Sequence, residues 1–142
     1  MNVVATEEVP LPADTVWKVI GDFGGIRKWA PAVMDEKLDK NAPEGVVRTL
    51  TMPPDGRVIR ELLAAEEQYS YTYKYCGEHR FVTGHAATVR VIPIDATKSR
   101  IELKTEFVPK PELSADEVVT NMNKSVSGNL KAMKKALGLP KE

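Results

Sequence analysis

The stretch that decides the fold is Val9-Pro10-Leu11-Pro12-Ala13-Asp14-Thr15-Val16-Trp17, continued through Asp22-Phe23-Gly24-Gly25 to Trp29-Ala30-Pro31. Residues 2–9 are predicted as a first strand. The prolines at positions 10 and 12 end that strand and open a helix, since proline is tolerated in a first helical turn. Glycines at positions 21, 24 and 25 interrupt the helix, and Pro31 ends a second short one around residues 26–29. The stretch therefore predicts one strand followed by two short helices that form a V.

Strands are predicted over most of the remaining chain, at residues 33–38, 46–52, 58–65, 69–76, 83–94 and 100–108. Asp55-Gly56, following Pro54, is a strong hairpin signal between two of them. The strands are long, the turns are short, and no helical pattern stands between them. These features favour an antiparallel meander of seven strands over a parallel sheet.

A long amphipathic helix is predicted at the C-terminus. Ser114 followed three residues later by Glu117 is a capping box, and Pro140 beyond Gly138 acts as a stop. A helix of about 24 residues spans roughly 36 Å, enough to cross a small sheet. A curved sheet wrapped around it would leave a hollow middle, so we expect an α+β fold that encloses a hydrophobic cavity. The apolar stripe of the helix comprises Val119, Met122, Val126, Leu130, Met133 and Leu137, and the opposite face carries Lys131, Lys134 and Lys135.

Length and composition predict one globular domain over residues 1–142, because 42% hydrophobic content is enough to bury a core. Lysine plus arginine equals aspartate plus glutamate at 20 each, which disfavours nucleic-acid and anionic-membrane partners. The single Cys76 cannot close an internal disulfide, and residues 1–8 lack the pattern of an export signal. No apolar run is long enough for stable membrane insertion. We therefore expect a cytoplasmic protein.

Strand parity indicates which side chains face the middle of the sheet, because alternate residues point to the same side. The register of residues 58–65 is the least clear, since Arg60-Glu61-Leu62-Leu63 does not alternate cleanly. If Glu61 faces inward, a carboxylate enters a pocket with aromatic walls. The residues predicted to face inward are Tyr69, Tyr71, Tyr73 and Tyr75, then His85, Ala87, Val89 and Val91, then Ile101, Leu103, Thr105 and Phe107, together with Ile59, Glu61 and Leu63 in one of the possible registers.

The order of these elements resembles the START/Bet v 1-like superfamily, in particular its polyketide cyclase/dehydrase-like branch. The resemblance runs from Val3 to Leu137 and implies a helix-grip fold around a pocket for an apolar molecule. The residues that carry it are Trp17, Asp22-Phe23, Trp29 and Pro31 for the W…DF…W-x-P pattern, Gly45-Val46-Val47-Arg48 for a G-x-x-R strand opening, and Glu61 with Leu63 for an E-x-L strand.

The plant abscisic-acid receptors share that fold and offer a second resemblance. Gly77-Glu78-His79-Arg80-Phe81 is similar to their latch loop, Glu61 to their pocket glutamate, and Asn129 to their ligand-lining asparagine. However, residues 52–56 lack the receptor gate sequence, Gly84 falls near their pocket tyrosine, and no lysine stands in the second strand. The resemblance implies the geometry of the pocket and not the hormone.

Three residues are candidates for acid–base chemistry: Glu61, Tyr73 and His85. Glu61 either faces the pocket as a general base or ligand-orienting group, or faces solvent as a partner of Arg60 or Arg48. A buried tyrosine is more often a wall than a catalyst, although its hydroxyl can donate to a ligand carbonyl. The residues expected to bind ligand are Ile59, Leu63, Tyr71, Tyr73, Tyr75, Phe81, Val89, Leu103, Thr105, Met122, Val126 and Asn129.

No metal site or cofactor is expected. The spacing of Cys76, His79 and His85 fits no standard metal signature, and His79 is expected to be solvated in its turn unless the loop closes over a ligand. Asp22-Phe23-Gly24 matches the kinase magnesium motif by chance, because the companion motifs are missing. There is no dinucleotide fingerprint or nucleophile elbow either.

Three classes of function follow. The favoured one is a carrier or binding protein for a hydrophobic small molecule such as a lipid, polyketide or aromatic metabolite. The second is a polyketide cyclase/aromatase- or dehydratase-like enzyme that uses Glu61 with a pocket tyrosine or histidine. The third is a protein-interaction module. A monomer or homodimer is expected, with a pocket entrance between residues 53–56, residues 77–81 and the N-terminal half of the last helix.

Overall fold

A single antiparallel sheet of seven strands forms the frame of the protein in the computed structural model, which describes residues 1–139. The strand order is β1-β7-β6-β5-β4-β3-β2, so the first strand pairs with the last and the meander runs outward to β2. The elements are β1 (Asn2–Val9), α1 (Ala13–Ile20), a 3-10 turn (Ile26–Lys28), β2 (Asp35–Ala42), β3 (Gly45–Met52), β4 (Arg57–Glu67), β5 (Ser70–Cys76), β6 (Val82–Pro93), β7 (Ser99–Pro109) and α2 (Ala115–Ala136).

The seven-stranded curved antiparallel sheet and the long C-terminal helix confirm the predicted helix-grip architecture. The two short helices are only half confirmed, because the second is a 3-10 turn of three residues. The glycines before it and Pro31 after it leave too few residues for an α-helix. Its N-terminus is held by Glu36 of β2, whose carboxylate oxygens accept from the backbone N–H groups of Ile26 at 3.0 Å and Arg27 at 3.2 Å. This contact ties the loop to the edge of the sheet.

Two strands begin later than predicted. β2 starts at Asp35 and not at residue 33, since Val33 belongs to the preceding loop and is buried there. β5 starts at Ser70, because Tyr69 has a positive φ of 64° and forms part of the turn after β4. The hydroxyl of Tyr69 donates to the Asp14 carboxylate of α1. Tyr69 therefore does not share the inward row of the other three tyrosines.

Helix α2 begins as predicted, with the side chain of Ser114 accepting a hydrogen bond from the Glu117 N–H at 3.4 Å. The pattern placed Lys134 on the helix face opposite the apolar stripe, but its exposure differs from that of Lys131 and Lys135 on the same face. Lys134 is buried and its Nζ pairs with Glu7 of β1 at 3.2 Å, which is the partner that makes burial of its charge tolerable. The predicted stop at Pro140 lies outside the described residues.

The core is built where α1 and α2 pack against β1, β6 and β7. Its fully buried members include Val16, Ile20, Val91, Ile101 and Val118. Neither helix described within residues 1–139 is long and apolar enough to cross a membrane. The remaining interior, toward β3, β4 and β5, is a cavity.

Candidate functional site

A cavity of about 810 Å³ lies between the sheet, helix α2 and the loop that contains the 3-10 turn. Its walls come from every strand from β3 to β7, and α2 contributes one long side. The predicted residues that line it are Ile59, Glu61, Tyr73, Tyr75, Phe81, His85, Thr105, Met122, Val126 and Asn129.

The structure places Leu63, Tyr71, Val89 and Leu103 outside this lining. Tyr71, Val89 and Leu103 instead surround a separate void of about 20 Å³. Tyr71 is displaced because it packs between the rings of Trp17 and Phe23, at centroid distances of 6.0 and 5.6 Å. Leu63 lies at a register shift between β4 and β5 and packs against the core. A ligand-contact role for these side chains is not favoured by their positions.

Sequence reasoning missed a second set of lining residues. Arg48, Leu50 and Met52 share the inner face of β3, and strand parity could have identified them, because positions 48, 50 and 52 alternate. The loop residues had no such signal, since irregular backbone has no period. The missed lining residues of the loops include Trp29, Ala30, Val33 and His79.

An ion pair forms the polar base of the cavity. Arg48 Nε donates to Glu61 Oε1 at 2.7 Å, and the two residues sit directly opposite each other on β3 and β4. Their side chains are only 2% and 8% exposed. Glu61 therefore lines the cavity and pairs with Arg48 there, so the pairing expected of a solvent-facing residue occurs in the interior.

Arg48 is held from three further directions. Its Nη1 donates to the Phe23 carbonyl at 3.1 Å, and its guanidinium lies 4.3 Å from the centre of the Phe23 ring and 4.7 Å from that of Tyr73. Burial is the largest single effect and opposes its charge, but the Glu61 carboxylate, together with Tyr71 and Tyr73, raises the pKa of Arg48 above its ordinary value. The guanidinium thus remains a fixed cation.

Tyr73 is kept in its neutral form. Burial raises the pKa of Tyr73 well above its ordinary value, and the nearby Glu61 carboxylate raises it further. A phenol that resists ionisation is a hydrogen-bond donor and a poor base. Its position suits it to donate to a carbonyl or hydroxyl oxygen of a ligand.

Two histidines and two aromatic rings form a cluster at another wall. His79 stacks on His85 at a centroid distance of 5.6 Å and meets Tyr75 edge-on at 4.6 Å. His79 Nδ1 accepts from the Phe81 N–H at 3.0 Å, and its side chain is half-buried and not fully solvated. Its half-buried position follows from the turn of residues 77–81, which folds toward the cavity.

Both imidazoles are biased toward the neutral form. Burial, with a smaller effect from His79, lowers the pKa of His85 to about 4. Burial also lowers the pKa of His79, helped by the positive charges of Lys110, Arg57 and Arg80. At neutral pH this wall therefore offers uncharged nitrogen atoms to a ligand.

Buried polar atoms without a partner point into the interior. Within the described residues, Trp29 Nε1 and His85 Nδ1 have no hydrogen-bond partner, and both residues line the cavity. An unpaired buried donor costs about 1–3 kcal/mol, so a polar ligand atom placed beside Trp29 would recover that cost. No group of three metal-ligating side chains occurs in the part of the chain that the structure describes.

A long helix gripped by a seven-stranded antiparallel sheet over an internal cavity defines the START/Bet v 1-like class of proteins. The model of the family described as polyketide cyclase/dehydrase and lipid transport matches residues 1–138. The chain therefore belongs to this family. A search among curated proteins gives no match.

Solved structures agree with that fold. An uncharacterized protein from Bacillus thuringiensis gives a TM-score of 0.84 at 27% identity, over 96% of this chain and 98% of the other. A START superfamily protein from Mycobacterium smegmatis gives 0.78 at 14% identity, over 96% and 97%. Norcoclaurine synthase from Thalictrum flavum, in complex with dopamine and hydroxybenzaldehyde, gives 0.70 at 21% identity, over 96% and 83%. The last two similarities show the fold alone.

We predict that removal of either residue of the Arg48–Glu61 pair alone lowers the free energy of unfolding more than removal of both residues together. Glu61→Leu should lower the free energy of unfolding by about 3–5 kcal/mol, because it leaves the Arg48 charge buried and unpaired. Arg48→Met combined with Glu61→Leu should recover much of that loss. Urea denaturation of the two single variants and the double variant measures the coupling.

The matched control is the exposed pair Arg60 Nη1–Glu44 Oε2 at 3.0 Å, beside the same strands. Glu44→Leu should leave the urea midpoint nearly unchanged, because solvent screens an exposed pair. Equal effects of Glu44→Leu and Glu61→Leu would show that burial of the Arg48–Glu61 pair has no special weight.

The imidazole of His85 should titrate near pH 4, as its lowered pKa indicates. In the unfolded chain the imidazole binds a proton near its ordinary pKa of about 6.5. The lowered pKa of the folded state therefore contributes stability above about pH 6.5, and this contribution is lost as the pH falls from about 6.5 to about 4. Two-dimensional NMR of the two histidine side chains measures this. His79→Gln should raise the pKa of His85 only slightly, since burial is the larger cause. Titration of His85 near 6.5 would refute its buried environment.

Proposed function

We propose that the protein binds a hydrophobic small molecule in the cavity, as a carrier or binding protein for a lipid, polyketide or aromatic metabolite. The observation that supports this most directly is the cavity itself. Its volume of about 810 Å³ falls within the range of roughly 300–1,000 Å³ that is typical of small-molecule sites. The family description, which includes lipid transport, agrees with a binding role.

The wall chemistry supports binding of a mainly apolar body with a few polar atoms. Ile59, Leu50, Met122 and Val126 offer aliphatic surface, and burial of apolar ligand area against them is favourable at about 25 cal/mol per Å². The polar groups in the interior of the lining include the Tyr73 hydroxyl, the two neutral imidazoles and the Trp29 N–H, and the basic lining residues other than Arg48 are exposed. Fixed polar groups orient a ligand, while the apolar walls supply the affinity.

The proposal also includes a single domain, a cytoplasmic location and a monomeric or homodimeric state. The entrance is proposed at the turns of residues 53–56 and 77–81 with the N-terminal half of α2. Pro53, Arg80, Phe81, Asn121 and Ser125 from these segments line the cavity, which supports that choice. The exposure of Ser125 there leaves room for a ligand to enter beside the helix.

A bulky side chain at Ser125 should block binding. Ser125 and Ser127 are both exposed on α2, but only Ser125 lines the cavity. Ser125→Trp should weaken the binding of the neutral fluorophore 1-pyrenebutanol by at least about tenfold, or 1.4 kcal/mol. The matched variant Ser127→Trp should leave it unchanged. Fluorescence titration measures both, with circular dichroism to verify folding.

Native mass spectrometry of the purified protein, followed by organic extraction, would identify a molecule that the protein carries. A stoichiometric apolar compound that is lost in Ser125→Trp and kept in Ser127→Trp would support the proposal. Absence of saturable pyrenebutanol binding by the unmodified protein would refute it and favour the protein-interaction module instead.

A proton-transfer enzyme of the cyclase/aromatase or dehydratase kind is a second candidate. It is favoured by one observation: Glu61, Tyr73 and His85 all line the same cavity. Against it, Glu61 is already engaged by Arg48, and Tyr73 and His85 are both held neutral. A tyrosine that stays protonated and a histidine with a pKa of about 4 are both weak bases at neutral pH. They are therefore better suited to hydrogen bonding with a ligand than to removing a proton from it.

If the protein is an enzyme, Tyr73→Phe should abolish turnover of the extracted compound and retain its binding. Tyr69→Phe, whose hydroxyl lies outside the cavity, should keep both. Liquid chromatography with mass spectrometry after incubation of the compound with each variant distinguishes the cases. Recovery of unchanged compound from the unmodified protein would support the carrier function.

A further inference from the structure

The cavity lining is far more basic than the chain as a whole. The chain carries 20 basic and 20 acidic side chains, so its formal net charge is zero. Among the described residues, the lining contains one carboxylate, Glu61, and that carboxylate is engaged by Arg48. The basic lining residues are Arg27, Lys28, Arg48, Arg57, Arg80 and Lys135.

Two of these cations come together at one wall. Arg57 is the first residue of β4, and Arg80 lies in the loop between β5 and β6, so adjacent hairpins bring them to the histidine cluster. Burial and the charge of Lys110 lower the pKa of His79, and the positive charges of Arg57 and Arg80 act in the same direction. Burial raises the pKa of Tyr75, and Arg57 and Arg80 both act to lower it.

Neither arginine is paired within residues 1–139, whereas neighbouring lysines are. Lys28 Nζ pairs with Asp22 at 3.2 Å, and Lys110 Nζ pairs with Glu78 at the same distance. The Arg80 guanidinium lies 5.4 Å from the centre of the Phe81 ring, a cavity residue, which holds it at the edge of the apolar wall. A pair of unpartnered guanidinium groups beside apolar walls is suited to receive an anionic group.

We propose that the ligand is an amphipathic organic anion, with its apolar body in the cavity and a carboxylate or similar acidic group at Arg57 and Arg80. This inference rests on the proposed binding function and names the class of ligand. Guanidinium groups bind carboxylates through paired N–H donors, and their position at the wall of residues 75–81 places the acidic group near the proposed entrance. The neutral His79 and His85 then meet the part of the ligand next to its acidic group.

An anionic membrane surface is the competing partner for two exposed arginines. Segments that bind such surfaces present clusters of about 4–8 lysines and arginines. Here the basic lining residues that have no acidic partner within residues 1–139 come from four different elements around the cavity and not from one segment: Arg27, Arg57, Arg80 and Lys135. The geometry therefore favours a ligand inside the cavity over a lipid surface outside it.

The test compares 1-pyrenebutanoic acid with 1-pyrenebutanol, which have the same apolar body. The protein should bind the acid about tenfold more tightly at 50 mM salt, and the preference should shrink at 500 mM as screening grows. Arg57→Gln combined with Arg80→Gln should weaken binding of the acid about tenfold and leave the alcohol within about twofold. The control, Arg90→Gln with Arg100→Gln, removes the same charge outside the cavity and should change neither affinity.

The outcomes separate this inference from the proposed function. Equal affinities for the acid and the alcohol would overturn the inference and leave the binding function intact. Binding of neither compound would overturn both. If the Arg57/Arg80 double variant loses cosedimentation with phosphatidylglycerol vesicles but keeps full affinity for the acid, the arginines serve a membrane surface and the inference is wrong.

Discussion

The ion pair between Arg48 and Glu61 is the interaction on which the rest of the structure depends. Removing two charges from water costs several kcal/mol for each ion, so the pair is tolerable only if its geometry is good and the guanidinium's other donors find partners. Arg48 meets that condition through Glu61 on β4, the Phe23 carbonyl after α1, and the faces of Phe23 and Tyr73. One side chain therefore joins three neighbouring strands to the segment that follows the first helix.

The cost of burying charge also determines the chemistry of the cavity. Burial raises the cost of any further charge in the cavity, and the Glu61 carboxylate adds to that cost for an ionised Tyr73. Burial raises the pKa of Tyr73 and lowers the pKa of His85, and both shifts favour the neutral form of the side chain. The interior thus contains one compensated ion pair and several neutral hydrogen-bonding groups. The basic lining residues that have no acidic partner within residues 1–139 are all exposed: Arg27, Arg57, Arg80 and Lys135.

Periodic features of the fold could be predicted from the sequence, and contacts between distant segments could not. The capping box at Ser114 and the alternation of Tyr71, Tyr73 and Tyr75 are local signals, because each depends on one element. The buried state of Lys134 depends on Glu7, which lies at the far end of the chain. No local pattern encodes that pairing, so the helix pattern alone could place Lys134 opposite the apolar stripe but could not predict its burial. Tyr69 shows a similar limit, because its positive φ and its bond to Asp14 arise from a turn that packs against α1.

For the site, parity placed Tyr73 on the side where the cavity lies, but it left the register of residues 58–65 open. It therefore could not choose between a solvent-facing, paired Glu61 and a ligand-facing one. The structure makes these alternatives compatible, because the carboxylate that lines the cavity is also the one that neutralises Arg48. Proton transfer to Glu61 would remove the only carboxylate facing a permanently charged guanidinium in the described lining, so the reaction would carry the cost of an unpaired buried cation. A ligand that only accepts hydrogen bonds from Tyr73 and Trp29 incurs no such cost, and for this reason the architecture favours binding over acid–base chemistry.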